Sequence, residues 1–146
     1  NEEDVEKVLG IRAGETDVTK GQIDQQGYVD VAHQLIARYG LRLVATTLRK
    51  SYSASENGWS AVVCSREEKA FSREYQIHIV NRVGGGDAFS AGLIYGLKMG
   101  YTMQETVEFA AAASYLKHSI EFDFNLVSLE EVRALMEGDG SGRVQR

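Results

Sequence analysis

Proline is absent from this 146-residue sequence, and cysteine occurs once. Without proline there is no Pro-rich linker to divide the chain, and no other segment has linker composition. The lone thiol, Cys64, can neither close an intrachain disulfide nor build a cysteine metal site. Three histidines, His33, His78 and His118, are scattered without ligand-like spacing, which sets structural zinc aside. No apolar run approaches the length of a membrane span, and the acidic start Asn1-Glu2-Glu3-Asp4 is unlike a signal peptide. There is no basic stripe, and the formal net charge is -5, which argues against a large nucleic-acid footprint. These absences make a cytoplasmic, reducing compartment the default, with neither nucleic acid nor a membrane as partner. Any bound polyphosphate must be held locally, by backbone N–H groups rather than by bulk charge.

Hydrophobic residues make up 43% of the chain and charged residues 25%, the balance of one globular domain or of part of a larger one. The first residue is Asn1 rather than Met. Processing, a chosen boundary and excision from a longer polypeptide would each give such a start.

Apolar spacing predicts a helix over residues 2–9, on the face of Val5, Val8 and Leu9, and a polar loop over 11–27. A second amphipathic helix runs from Tyr28 to Tyr39 on a stripe of Val31, Leu35 and Ile36, stopped by Gly40. A short bounded run, Leu41–Leu48, reads as a strand. A polar stretch, Arg49–Gly58, separates it from three further candidate strands: Trp59–Ser65, Ala70–Arg73 and Gln76–Val80. In the last of these, Ile77 and Ile79 alternate with polar neighbours on one buried face. A long helix over Asp87–Met99 carries Gly92, Gly96 and Gly100 at four-residue spacing, which calls for close backbone approach to another element. Met103–Lys117 forms another helix, with the small segment Ala110–Ala113. Ser128 followed by Glu130 and Glu131 opens a last helix to Met136, before a mobile tail from Gly138. Helix, glycine, strand is the rhythm of an α/β layer.

The informative feature is a strand, then Gly84-Gly85-Gly86-Asp87, then a helix. Three glycines let the backbone turn without obstruction, and the exposed N–H groups with the helix dipole make an anion site suited to phosphate. An acidic residue there makes sense if Asp87 accepts a proton from a hydroxyl beside the phosphate under attack. On spacing alone, a tight turn in which Asp87 merely caps the helix serves equally well. A Walker loop is excluded because no lysine follows the glycines. A dinucleotide fingerprint is excluded because Phe89 stands where its third glycine belongs.

The longer string Val80-Asn81-Arg82-Val83-Gly84-Gly85-Gly86-Asp87-Ala88-Phe89-Ser90-Ala91-Gly92 closely resembles the C-terminal signature of the ribokinase-like (phosphofructokinase B type) carbohydrate kinases. Asn1-Glu2-Glu3-Asp4 is similar to the family's Asn-x-x-Glu element, which helps organise magnesium and phosphate. Thr47-Leu48-Arg49, the segment Ser53–Ser60 and Lys117-His118-Ser119-Ile120 most resemble 2-keto-3-deoxygluconate kinases. The resemblance spans essentially the whole chain. It implies an α/β fold, the C-terminal portion of a three-layer (αβα) ribokinase-like architecture with an incomplete central sheet. On this expectation, residues 1–146 are the nucleotide-binding and catalytic part, and the N-terminal sugar-binding and lid part is absent.

By the same resemblance, Asp87 is the base that deprotonates the sugar hydroxyl, and Gly84, Gly85, Gly86 and Asp87 form the anion hole for the γ-phosphate of ATP. Ser55, Asn57, Gly58, Trp59, Ser60 and Ala111 match positions that line the nucleotide. Asp123 matches an acidic residue that touches the sugar acid; a solvated loop carboxylate is the equal alternative. Asn1 and Asp4 match indirect metal-organising positions. The implied cofactors are ATP and Mg2+, with a monovalent cation site near Asn81. Three positions depart from the family pattern: Asn81 for Asp, Asp4 for Glu, and Phe122 for Gly. The chain alone is expected to be inactive as a kinase, and either to form homo-oligomers or to need the absent half. The alternative is a non-catalytic kinase remnant serving as a nucleotide-binding or oligomerisation module.

Overall fold

The computed structural model describes residues 25–53 and 56–138. The helix expected over 2–9, most of the loop over 11–27, the tail from Gly138 on, and the site candidates Asn1, Asp4 and Ser55 lie outside the described residues, Gly138 itself excepted.

Helix α1 (Gln25–Tyr39) starts three residues before the apolar pattern does. The Gln26 amide donates to Asp30 Oδ1 at 2.8 Å, an i,i+4 pair that supports an extra polar turn. Strand β1 (Val44–Ser51) and β2 (Glu56–Cys64) form an antiparallel hairpin with Val44 opposite Cys64 and Ser51 opposite Asn57. The stretch Arg49–Gly58, expected to be irregular, is thus mostly ladder. Its polar side chains hide the strand period, but backbone pairing needs no apolar side chains. Ser51 also donates to Asn57 Oδ1 across the pair at 3.2 Å.

Strands β3 (Lys69–Phe71) and β4 (Tyr75–His78) both lie along the other edge of β2, one beside its C-terminal end and one beside its N-terminal end. Ser72 bridges the gap between them: its N–H donates to Ala61 O at 2.9 Å and its hydroxyl accepts from Ala61 N at 2.9 Å. In β4, Tyr75 and Ile77 form the buried face, whereas Ile79 falls just past the strand end and is half-buried.

β2 is therefore central and covered on both sides. Its alternating side chains explain the three layers. Val62 and Cys64, with Leu48 of β1, face Tyr28, Val29, Ala32 and Ile36 of α1. Ala61 and Val63 face the opposite way, onto α3 (Met103–His118). Helix α2 (Gly85–Met99) and α4 (Leu129–Glu137) add to that side. Thr102 with Glu105 and Ser128 with Glu131 form capping boxes at the starts of α3 and α4.

The glycine row on α2 divides by role. A Cβ on Gly92 would stand 2.9 Å from Ala110 Cα, and one on Gly96 would stand 3.0 Å from Thr106 Cγ2, so the two helices touch through missing side chains. Gly100 instead ends α2 in the left-handed region, at φ 73°, with no close neighbour. Beneath the sheet edge, buried Glu108 accepts from the Tyr75 hydroxyl and pairs with Arg73 Nε at 2.9 Å. Arg73 also donates to Met136 O and Gly138 O at 2.6 Å each, tying the β3–β4 connection to α3 and to the end of α4.

Candidate active site

The glycine loop is built against the last turns of α3. Val80 and Asn81 donate their N–H groups to His118 O at 3.0 and 3.1 Å, and Asn81 Oδ1 accepts from Val83 N at 2.9 Å. These bonds bring the chain to Gly84, the N-cap of α2, at φ 81°. That conformation strongly favours glycine. Bareness matters there as well, because a Cβ would lie 2.5 Å from Asp123 O. At Gly85 a Cβ would lie 2.5 Å from His118 Cε1, and Gly85 O accepts from the buried Ser114 hydroxyl at 2.8 Å. Gly86 has nothing near it.

Asp87 is exposed on the first turn of α2, and the N-cap of that helix is Gly84, not Asp87. The capping alternative therefore finds no support in the geometry. Among the described residues, no acceptor meets the N–H of Gly86 or Asp87, and Gly85 N reaches only Arg82 O, at a long 3.4 Å. The helix start thus points free donors outward, with a carboxylate beside them. At such a position an anion gains about 0.3–2 kcal/mol from the dipole.

Under the loop sits His118, only 4% exposed, its ring tilted at 58° against Trp59 with centroids 4.6 Å apart. Its Nδ1 lies 2.7 Å from Ser114 O. A carbonyl can only accept, so Nδ1 carries the proton and Nε2 is left facing Gly85. Burial pushes the imidazole pKa down, assisted by the cations of Lys117, Arg82 and Arg49 and opposed by the Ser114 carbonyl. Of these cations Lys117 is buried with the histidine, whereas Arg82 and Arg49 are exposed. Neither the histidine nor these cations had a role in the sequence reading. The string Lys117-His118 was visible there, but not the packing that gives it a use.

Asp123 is exposed, and its backbone carbonyl is against Gly84, so the structure brings Asp123 alongside the glycine loop. The other candidates behave differently. Asn57, Gly58, Trp59 and Ser60 lie on β2 and are buried, and Ala111 is wholly enclosed in α3. Asn57 Nδ2 and Trp59 Nε1 are buried donors with no partner among the described residues. Among these residues, no group of three or more His, Cys, Asp or Glu side chains could hold a metal ion, and no helix is long and apolar enough to cross a membrane.

Comparison with known proteins agrees with this geometry. The profile of the pfkB family of carbohydrate kinases matches residues 8–119. The crystal structure of 2-dehydro-3-deoxygluconokinase from Thermotoga maritima superposes with a TM-score of 0.86 at 46% identity, over 94% of this chain and 40% of that one. A PfkB family carbohydrate kinase from Listeria grayi superposes with a TM-score of 0.75 at 30% identity, again over 94% of this chain and 40% of its own. No curated protein sequence matches. The chain spans about 40% of the length of these solved relatives. With the three-layer fold and the glycine loop both in place, the chain belongs to the pfkB family of carbohydrate kinases.

Proposed function

We propose that this chain is the nucleotide-binding and catalytic C-terminal part of an ATP-dependent kinase that phosphorylates a hydroxyl of a sugar acid of the 2-keto-3-deoxygluconate type. The observation that carries the reading is the exposed Asp87 carboxylate beside the unpaired amides of Gly86 and Asp87 at the start of α2. In this reading Asp87 takes the proton of the attacking hydroxyl, and the N–H groups of the Gly84–Asp87 turn hold the charge of the transferring phosphoryl group. Mg2+ arrives on the nucleotide phosphates, as it commonly does in such sites. Asp123, beside Gly84, is the sugar-acid contact. Asn57, Gly58, Trp59, Ser60 and Ala111 form the packed wall behind the nucleotide rather than its lining. The likeness to the Thermotoga maritima 2-dehydro-3-deoxygluconokinase supports the choice of sugar acid.

The test has two parts. Calorimetric titration of the chain with ATP-Mg should show binding, unchanged by Asp87→Asn. In an assay with a complementing N-terminal half from a relative, sugar-dependent ATP turnover should appear and fall ~10²–10⁴-fold in Asp87→Asn. The chain alone is expected to turn over little or no sugar. Absence of ATP binding, or a fully active Asp87→Asn, would sink the reading. A second reading, a non-catalytic oligomerising remnant, draws on the exposed apolar side chains of Phe122, Phe124 and Leu126, each at least 75% exposed. Self-association without ATP binding would favour it.

A further inference from the structure

Lys117 is completely buried, yet among the described residues no carboxylate pairs with it. Its stem runs under Gly84, where a Cβ would meet the lysine Cε at 3.1 Å. Its ammonium donates to Phe122 O at 2.7 Å and, weakly, to Ile120 O at 3.5 Å. A buried cation without a counter-ion is costly, and a methionine would fill the same space without that cost. What an ammonium adds is a grip on the carbonyls of one turn.

That turn needs holding. Phe122 has φ 58°, a left-handed conformation that a bulky L-residue adopts only when its surroundings impose it. The Phe122 side chain is 76% exposed, so packing on the ring does not impose it. The next carbonyl, Asp123 O, sits where a Cβ on Gly84 would be. The turn is thus pinned from two sides, by the lysine ammonium at the end of α3 and by the bare N-cap of α2. The Asp123 carboxylate stands exposed at the end of it.

We propose that Lys117 is a positioning residue for the sugar side of the site: its charge locks the Ile120–Asp123 turn onto Gly84 and so sets where Asp123 stands relative to Asp87. Lys117 acts through the turn and does not touch the transferred group. The assignment rests on the reading of Asp123 as the sugar-acid contact.

Amide hydrogen exchange on the 146-residue chain tests the lock itself, independently of any kinase activity. Lys117→Met should speed exchange at least tenfold at the hydrogen-bonded amides of two segments, Ser119 and Ile120 after α3 and Val83 and Gly85 in the loop, with α1, β1 and β2 unchanged. Unaltered exchange in those two segments would overturn the proposal. Should Lys117→Met fail to fold, Gly84→Ala breaks the same contact from the other side, and the same two segments must loosen. In the complemented kinase assay, Lys117→Met should raise KM for the sugar acid at least tenfold while KM for ATP stays within twofold. A sugar KM within twofold of wild type, in a protein whose turn has loosened, overturns the positioning role. A wild-type assembly without sugar-dependent turnover refutes the kinase reading instead, and the exchange data still decide the lock.

Discussion

Gly85→Ala and Gly86→Ala are neighbouring, chemically identical changes, and the structure requires them to act in opposite directions. At Gly85 the new Cβ would stand 2.5 Å from His118 Cε1 and 2.8 Å from Nε2. Ordinary carbon contacts begin near 3.5 Å, so about 1 Å of overlap must be relieved. The imidazole cannot easily yield, because Ser114 O holds its Nδ1 and the tilted Trp59 ring packs against it. Overpacking of this kind costs ~1–3 kcal/mol, of which the better helix propensity of alanine returns at most ~1 kcal/mol. The net destabilisation of about 1–2 kcal/mol should lower Tm by roughly 3–6 °C in a chain of this size. At Gly86 the Cβ meets nothing, and alanine should stabilise by ~0.4–1 kcal/mol by restricting the unfolded chain, raising Tm by roughly 1–3 °C. Thermal unfolding followed by circular dichroism reads both. If the two variants move Tm equally and in the same direction, the loop does not rest on His118 as described. Calorimetry adds a second contrast: Gly86→Ala should weaken ATP binding despite its higher Tm, because its methyl group enters the open space before the free amides.

Two further outcomes follow from the same region. Phe122→Gly relieves a left-handed strain of ~1–2 kcal/mol against a glycine entropy cost of ~0.5–1 kcal/mol, so Tm should rise by about 1–3 °C; a fall would show that the ring packs on something. His118 has a folded-state pKa held below its ordinary value, so the unfolded chain binds its proton first as pH falls. Its stabilising contribution is full above the ordinary imidazole value near 6.5 and is lost as pH drops from there through the lowered folded-state value. The fall in Tm between pH 7.5 and pH 5 should therefore be smaller in His118→Gln than in wild type, and equal slopes would refute the assignment.

Charge illustrates how a local site departs from the average. The formal net charge of -5 repels a polyphosphate at long range. Yet beneath the glycine loop lies the buried Lys117, whose Cε a Cβ on Gly84 would meet at 3.1 Å. Lys117 is buried, so its charge is screened less than those of the exposed Arg82 and Arg49.

Much of this organisation could be read from residue order alone, because it depends on short-range chemistry. The Gly84–Asp87 turn, the capping residue Ser128 and the glycine spacing at Gly92 and Gly96 are written in the local sequence, and the structure uses each as its residue type allows. Contacts between distant segments were not legible. Arg49–Gly58 became a hairpin because a partner strand satisfied its backbone, whatever its side chains. Asn57, Trp59 and Ser60 turned inward because β2 is covered on both faces by helices far away in the chain. Lys117 and His118 acquired their place only when the end of α3 came to lie beneath the start of α2. Hydrogen-bonding preference and conformational freedom travel with the individual residue, whereas burial, imposed strain and the pairing of a charge are properties of what the folded chain brings beside it.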